Sequence, residues 1–118
     1  MIAVIFEFTA APERRQEYLD IAAALGEELK GFDGFVSIER FQSLANPSKY
    51  VSLSFWRDEE AVRRWRNVQQ HREAQARGRA GIFSDYRLRV AQVMRDYTKD
   101  RRAETPKDSL SFHGGIYG

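Results

Sequence analysis

Between positions 2 and 8 the chain sets Ile2, Val4, Phe6 and Phe8 against Ala3 and Ile5, so both sides of a strand-length segment are apolar. A strand of that kind is covered on two faces. Pro12 and Glu13 then suit a first helical turn, where a missing amide costs nothing. Tyr18, Ile21, Ala22, Leu25 and Leu29 recur at helical spacing as far as about Lys30. Gly31 fits a left-handed cap, and Gly34 brackets the exit.

Residues 35–44 read as a second strand and 50–56 as a third. The turn between them is Asn46-Pro47-Ser48, where proline fixes one dihedral and asparagine tolerates the others. In the third strand Val51, Leu53 and Phe55 share one face, while Tyr50, Ser52, Ser54 and Trp56 share the other. Asp58 can accept from the free amides of a helix start, with Glu59 and Glu60 near the positive end of its dipole. The second helix carries Ala61, Val62, Trp65 and Val68 inward and Arg63, Arg64 and Arg66 outward. It is expected to bend or break across 67–70, to continue to about Arg79, and to end at Gly78 and Gly81. Residues 84–97 read as the longest strand. Tyr86, Leu88, Val90, Gln92 and Met94 face one way; Ala91, Val93 and Tyr97, with Arg87, Arg89 and Arg95, face the other.

The order is βαββαβ, the ferredoxin-like α+β plan of a four-stranded antiparallel sheet with both helices on one face. Two helices cover one side only, yet apolar residues stand on both. Exposed apolar area costs roughly 25 cal/mol per Å², so the second side needs a cover. A second copy of the same sheet is the simplest one, and a two-fold homodimer with sheets face to face is predicted.

At 118 residues the chain makes one domain. We read residues 1–97 as that domain and 98–118 as a tail without its own core, with Phe112 and Tyr117 as apolar anchors for a partner subunit. Apolar residues at 42% and charged ones at 31% make an ordinary folded composition. The net charge of +2, from 19 basic and 17 acidic residues, is too slight to indicate nucleic-acid binding. No cysteine is present, which removes disulfides, thiolate metal sites and thiol nucleophiles. No apolar run reaches the roughly 18 residues of a membrane helix. Met1 leads straight into a strand pattern, so a cytoplasmic protein without membrane association is expected.

Several stretches together resemble the antibiotic biosynthesis monooxygenase family. They are Met1-Ile2-Ala3-Val4-Ile5-Phe6, Phe32-Asp33-Gly34-Phe35, Ser52-Leu53-Ser54-Phe55-Trp56, Trp65 with His71-Arg72, and Tyr86-Arg87-Leu88-Arg89-Val90 with Arg95-Asp96-Tyr97. The resemblance spans about residues 1–97. It implies a dimeric α+β barrel and, for activity, cofactor-independent oxygenation of aromatic polyketides or quinols with O2, or haem degradation. A non-enzymatic dimeric small-molecule-binding or stress-related protein is the reading outside catalysis.

Trp65 at helical spacing with Ala61, Val62 and Val68 is ordinary core filling; the resemblance makes it a pocket wall as well. Cofactor-free oxygenation asks the protein to deprotonate a phenol or quinol, exclude water and hold the anion. His71 is the side chain whose ordinary pKa permits that proton removal at neutral pH, with Arg72 or Arg87 for the anion. Phe6, Asn67, Arg72 and Tyr86 are the expected substrate contacts. The haem-degrading branch calls for a histidine about ten residues after the helical Trp and an asparagine near the end of the first strand. Here those places hold Gln75 and Phe6-Glu7-Phe8, so no cofactor is expected and haem is the lesser alternative. Glu7, Glu39, Asp58 and Asp85 lack metal-ligand spacing, and His113-Gly114-Gly115 lies in the tail without a scaffold.

Overall fold

The computed structural model describes residues 1–75 and 83–109, with the side chains of 69–75 and 83–84 left out. Strand β1 (Ile2–Ala10) leads through a single 3-10 turn, Pro12–Arg14, into α1 (Arg15–Leu29). Then come β2 (Phe35–Gln42), β3 (Lys49–Trp56), α2 (Glu59–Gln75) and β4 (Phe83–Gln92). The strands form one antiparallel sheet in the order β2-β3-β1-β4. This is the ferredoxin-like α+β plan expected from the element order.

Local chemistry sets the joints where the sequence placed them. Gly31 and Gly34 take φ of +79° and +89°, the left-handed region that side chains resist. In the β2–β3 turn the Ser48 N–H donates to Asn46 Oδ1 at 3.1 Å and the Lys49 N–H to the Asn46 carbonyl at 2.9 Å. Asp58 caps α2, its Oδ1 accepting from the Ala61 N–H at 2.9 Å. Arg57 and Arg64 both donate to Asp33, at 3.0 and 3.1 Å, and so tie the α1–β2 loop to the start of α2.

Opposed residues of an antiparallel pair share a face, and the register sorts the sheet cleanly. Ile2, Val4, Phe6, Phe8 and Ala10 of β1 look toward the helices, in line with Tyr50, Ser52, Ser54 and Trp56 of β3. The core there falls into two clusters. One joins Phe8, Ala10 and Tyr50 to Tyr18 and Ala22 of α1. The other joins Trp56 to Leu29, Ala61 and Val62, with Phe32 and Phe35 edge-on to the indole at 6.0 and 5.5 Å. The buried Trp56 N–H donates to Ser54 Oγ at 2.9 Å, which meets the need of a polar atom shut away from water.

Two expectations are corrected. First, α2 runs unbroken from Glu59 to Gln75 without the bend at 67–70. No proline or glycine interrupts that stretch, and Asn67 is exposed, where a polar side chain costs a helix little. The part expected beyond it, with Gly78 and Gly81, lies outside the described residues. Second, β4 ends at Gln92 and β2 at Gln42, short of 97 and 44. The Val93 N–H still donates to the Met1 carbonyl at 3.0 Å, the last ladder contact of β4 with β1. After β4 the described chain makes local contacts. Thr98 Oγ1 accepts from the N–H groups of Asp100 and Arg101, the Arg102 guanidinium stands 5.1 Å from the Tyr97 ring centroid, and Thr105 is buried. The anchors Phe112 and Tyr117, like His113, lie outside the described residues. Among the described residues no helix is long and apolar enough to cross a membrane.

Candidate functional site

The helices do not cover their side of the sheet evenly. Register places Val90 opposite Val4, Leu88 opposite Phe6 and Tyr86 opposite Phe8, so these three residues of β4 point to the helix side. Yet Tyr86 is 67% exposed, Leu88 53% and Val90 48%. The Phe6 ring lies 5.7 Å from that of Tyr86 and 5.1 Å from that of Phe8. The result is an open apolar shelf of Val4, Phe6, Tyr86, Leu88 and Val90 along β1 and β4. Apolar surface of this kind, beside a few polar groups, is what small organic ligands use.

Trp65 stands at the α2 side of this region. It is half-buried, edge-on to Phe32 at 5.2 Å and 6.2 Å from the Trp56 ring. It packs on the same cluster as Val4, the next helix-facing residue along β1 from Phe6. The ordinary reading of Trp65 as core thus holds for part of the ring.

Of the remaining sequence candidates, Asn67 and Arg87 stand away from the shelf. A continuous helix advances about 100° per residue, so Asn67 stands ~160° round α2 from Trp65, and it is exposed. By the same rotation position 72 falls within ~20° of Trp65 and position 71 ~120° away. The side chains of His71 and Arg72 lie outside the described residues. Arg87, weighed above for anion stabilisation, is opposite Glu7 on the other side of the sheet and faces away from the shelf. Leu88, Val90 and Val4 were not among the candidates. Their alternation was visible in the sequence; their exposure was not.

Electrostatics near the shelf is quiet. Burial raises the Tyr18 phenol above its usual range, partly offset by Arg40, so it stays protonated at neutral pH. The Arg57 guanidinium, hydrogen-bonded to both, holds the Asp33 and Asp58 carboxyls below the usual range, helped at Asp33 by Arg64 and at Asp58 by the Ala61 N–H. Those groups anchor α2 and do not reach the shelf. Glu7 pairs with Arg89 at 3.0 Å on the far side. Among the described residues no group of three His, Asp or Glu side chains could hold a metal ion.

Comparison with known proteins agrees with this architecture. The family model described as antibiotic biosynthesis monooxygenase matches residues 1–77. A protein of Pyricularia oryzae named jasmonate monooxygenase is 48% identical over 93 residues, which are 79% of this chain and 43% of that protein. The chain spans about half the length of the curated relatives it matches. Among solved structures, a conserved protein of Methanosarcina mazei superposes with a TM-score of 0.68 at 21% identity, over 77% of this chain and 90% of the other. The haem-degrader MhuD of Mycobacterium tuberculosis, with two haems bound in its active site, gives 0.66 at 18% identity, over 83% and 100%. At those identities the structural likeness speaks for the fold.

Proposed function

The chain belongs to the antibiotic biosynthesis monooxygenase family, and from that premise we propose that it oxygenates a small aromatic or quinol compound without metal or flavin. The observation that carries this reading is the exposed apolar shelf of Phe6, Tyr86, Leu88 and Val90 on the helix side of the sheet. A flat, uncharged ring suits it, since burying each Å² of apolar area is worth roughly 25 cal/mol. Trp65 closes the α2 end, with Arg72 to hold the anion and His71 to take the proton. For a ring methylene activated by a phenol the step balances: the CH2 and O2 become C=O and H2O. The substrate supplies all four electrons and both hydrogens, so the protein need only deprotonate, orient and exclude water.

Members of this family are generally dimeric, and we assign the same state to this chain. The sheet side away from the helices carries Ile5, Val51, Leu53 and Phe55, all half-buried, and a second sheet would complete their burial.

Haem fits these residues poorly. The position a ligand would take is Gln75, whose amide is a weak axial donor beside imidazole. Use of His71 instead would need α2 shifted by about one turn, and α2 is unbroken through Gln75. A second substrate reading, jasmonate, is favoured by the 48% identity to the Pyricularia protein; its hydroxylation by O2 needs a two-electron reductant, which the assay would supply.

Oxygen uptake with anthrone-like phenols, quinols and jasmonate tests the proposal. Uptake of one O2 per product is expected with one of these classes, falling about 10²–10⁴-fold in His71→Ala. Binding without uptake would make the chain a binding protein; uptake unchanged in His71→Ala would remove the base.

A further inference from the structure

The helix side of the sheet carries a row that the two core clusters leave between them. Opposed residues across the four strands read Arg40, Ser52, Phe6 and Leu88. Toward one end of the strands Tyr50 and Phe8 belong to the first cluster; toward the other, Trp56 belongs to the second, with Ile38 and Val4 packed against it. Ser54 is buried, and its oxygen accepts from the Trp56 N–H. Ser52, the next helix-facing position, is half-buried, and its hydroxyl has no hydrogen bond among the described residues. By register Glu7, Glu39, Lys49, Asp85, Arg87 and Arg89 take the far side of the sheet. Arg40 alone among the charged residues of the four strands, as described, stands on the helix side. It is half-buried, close enough to the Tyr18 phenol to offset part of its rise, and has no ion-pair partner among the described residues. The row thus runs from an exposed leucine, through an aromatic ring and a hydroxyl, to a guanidinium without a carboxylate.

We propose that Arg40 and Ser52 select a substrate with an acidic side arm: its uncharged ring lies on Phe6 and Leu88, the arm crosses Ser52, and its carboxylate meets the Arg40 guanidinium. The inference rests on the shelf as the substrate site and adds a chemical class, a ring compound bearing a short carboxylic acid chain. Neighbouring strands lie about 4.8 Å apart, so the backbone of Arg40 stands roughly 10 Å from that of Phe6. An arginine side chain and an arm of two or three atoms close that span together. The guanidinium presents paired N–H donors that match a carboxylate in two parallel bonds. A charge partly shut from water without a partner carries a desolvation cost, which an incoming carboxylate offsets. The Ser52 hydroxyl, midway, can donate to an oxygen of the same arm.

A matched pair of ligands separates this from the oxygenation itself. Binding of 2-naphthylacetate and of its neutral amide is measured by calorimetry, with circular dichroism and melting to check that each variant folds. The acid should bind the wild type roughly tenfold or more tighter than the amide. Arg40→Gln should erase that gap by weakening the acid, Arg40→Lys should keep part of it, and Ser52→Ala should weaken both ligands about threefold. Equal affinity for acid and amide in the wild type, or a gap that survives in Arg40→Gln, would overturn the inference. Acid-selective binding that depends on Arg40, with no O2 uptake from any phenol, quinol or jasmonate, would remove the oxygenation and leave the acid-reading site standing. No binding of either ligand at millimolar concentration would overturn the shelf as a site, and the inference with it.

Discussion

Residues of β3 and β4 look toward the same helices and have opposite fates. On β3, Trp56 is 2% exposed, and Tyr50 and Ser54 are buried with it. On β4, two strands away across β1, the residues at equivalent height stand 48–67% in water. The alternation is equally regular in both strands, so side-chain chemistry does not explain the difference. Helix placement does. Tyr18 and Ala22 of α1, together with Ala61 and Val62 of α2, close over β3 and the near half of β1, and α2 is fastened there by Asp58 and by the Asp33–Arg57–Arg64 contacts. One region is core that specifies the fold; the other is apolar surface left for something else to bury.

The two regions should therefore respond differently to change. The largest loss is expected at Trp56→Ala, about 3–5 kcal/mol in urea unfolding, because the indole fills the centre of the β3-side cluster and bonds Ser54. A loss near zero would mean that this cluster is not the core. Gly34→Ala comes next at about 1–3 kcal/mol. Its φ is +89° and a Cβ there would collide with that of Ala61, so the change pries α2 from the sheet where it is fastened.

The α2 anchor should also show in acid. The folded-state pKa values of Asp33 and Asp58 are depressed by Arg57, so their contribution is present above the usual carboxylate pKa and is lost as pH falls through the depressed values. Wild type should melt a few degrees above Asp33→Asn at neutral pH, with the gap closing below about pH 4. A gap that persists unchanged into strong acid would contradict the assignment. The smallest effect on stability is expected at Leu88→Ser, within about 0.5 kcal/mol, since that side chain is already half in water. Its cost should appear instead in the KM of the oxygenation.

What could be read from the sequence were the local devices. Gly31, the Asn46-Pro47 turn, the Asp58 cap and the period-two faces of β1 and β3 each depend on residues within a turn of themselves. What could not be read depended on distant partners. Arg64, outward by helical spacing, reaches an aspartate 31 positions earlier in the chain. The continuity of α2 was missed because Asn67 and the glutamines after it look like loop residues when their exposure is unknown. On the shelf, Phe6 and Tyr86 stand out in the sequence as aromatic residues at alternating strand positions. Leu88 and Val90 were passed over because nothing local distinguishes an uncovered strand from a covered one.

Methyl NMR during titration with a naphthoquinol analogue compares the two sides of the sheet in a single sample. The account predicts shifts at Val4, Leu88 and Val90 on the helix side, with Val51 and Leu53 on the far side unmoved. Shifts centred on Val51 and Leu53, with the β4 methyls silent, would contradict it.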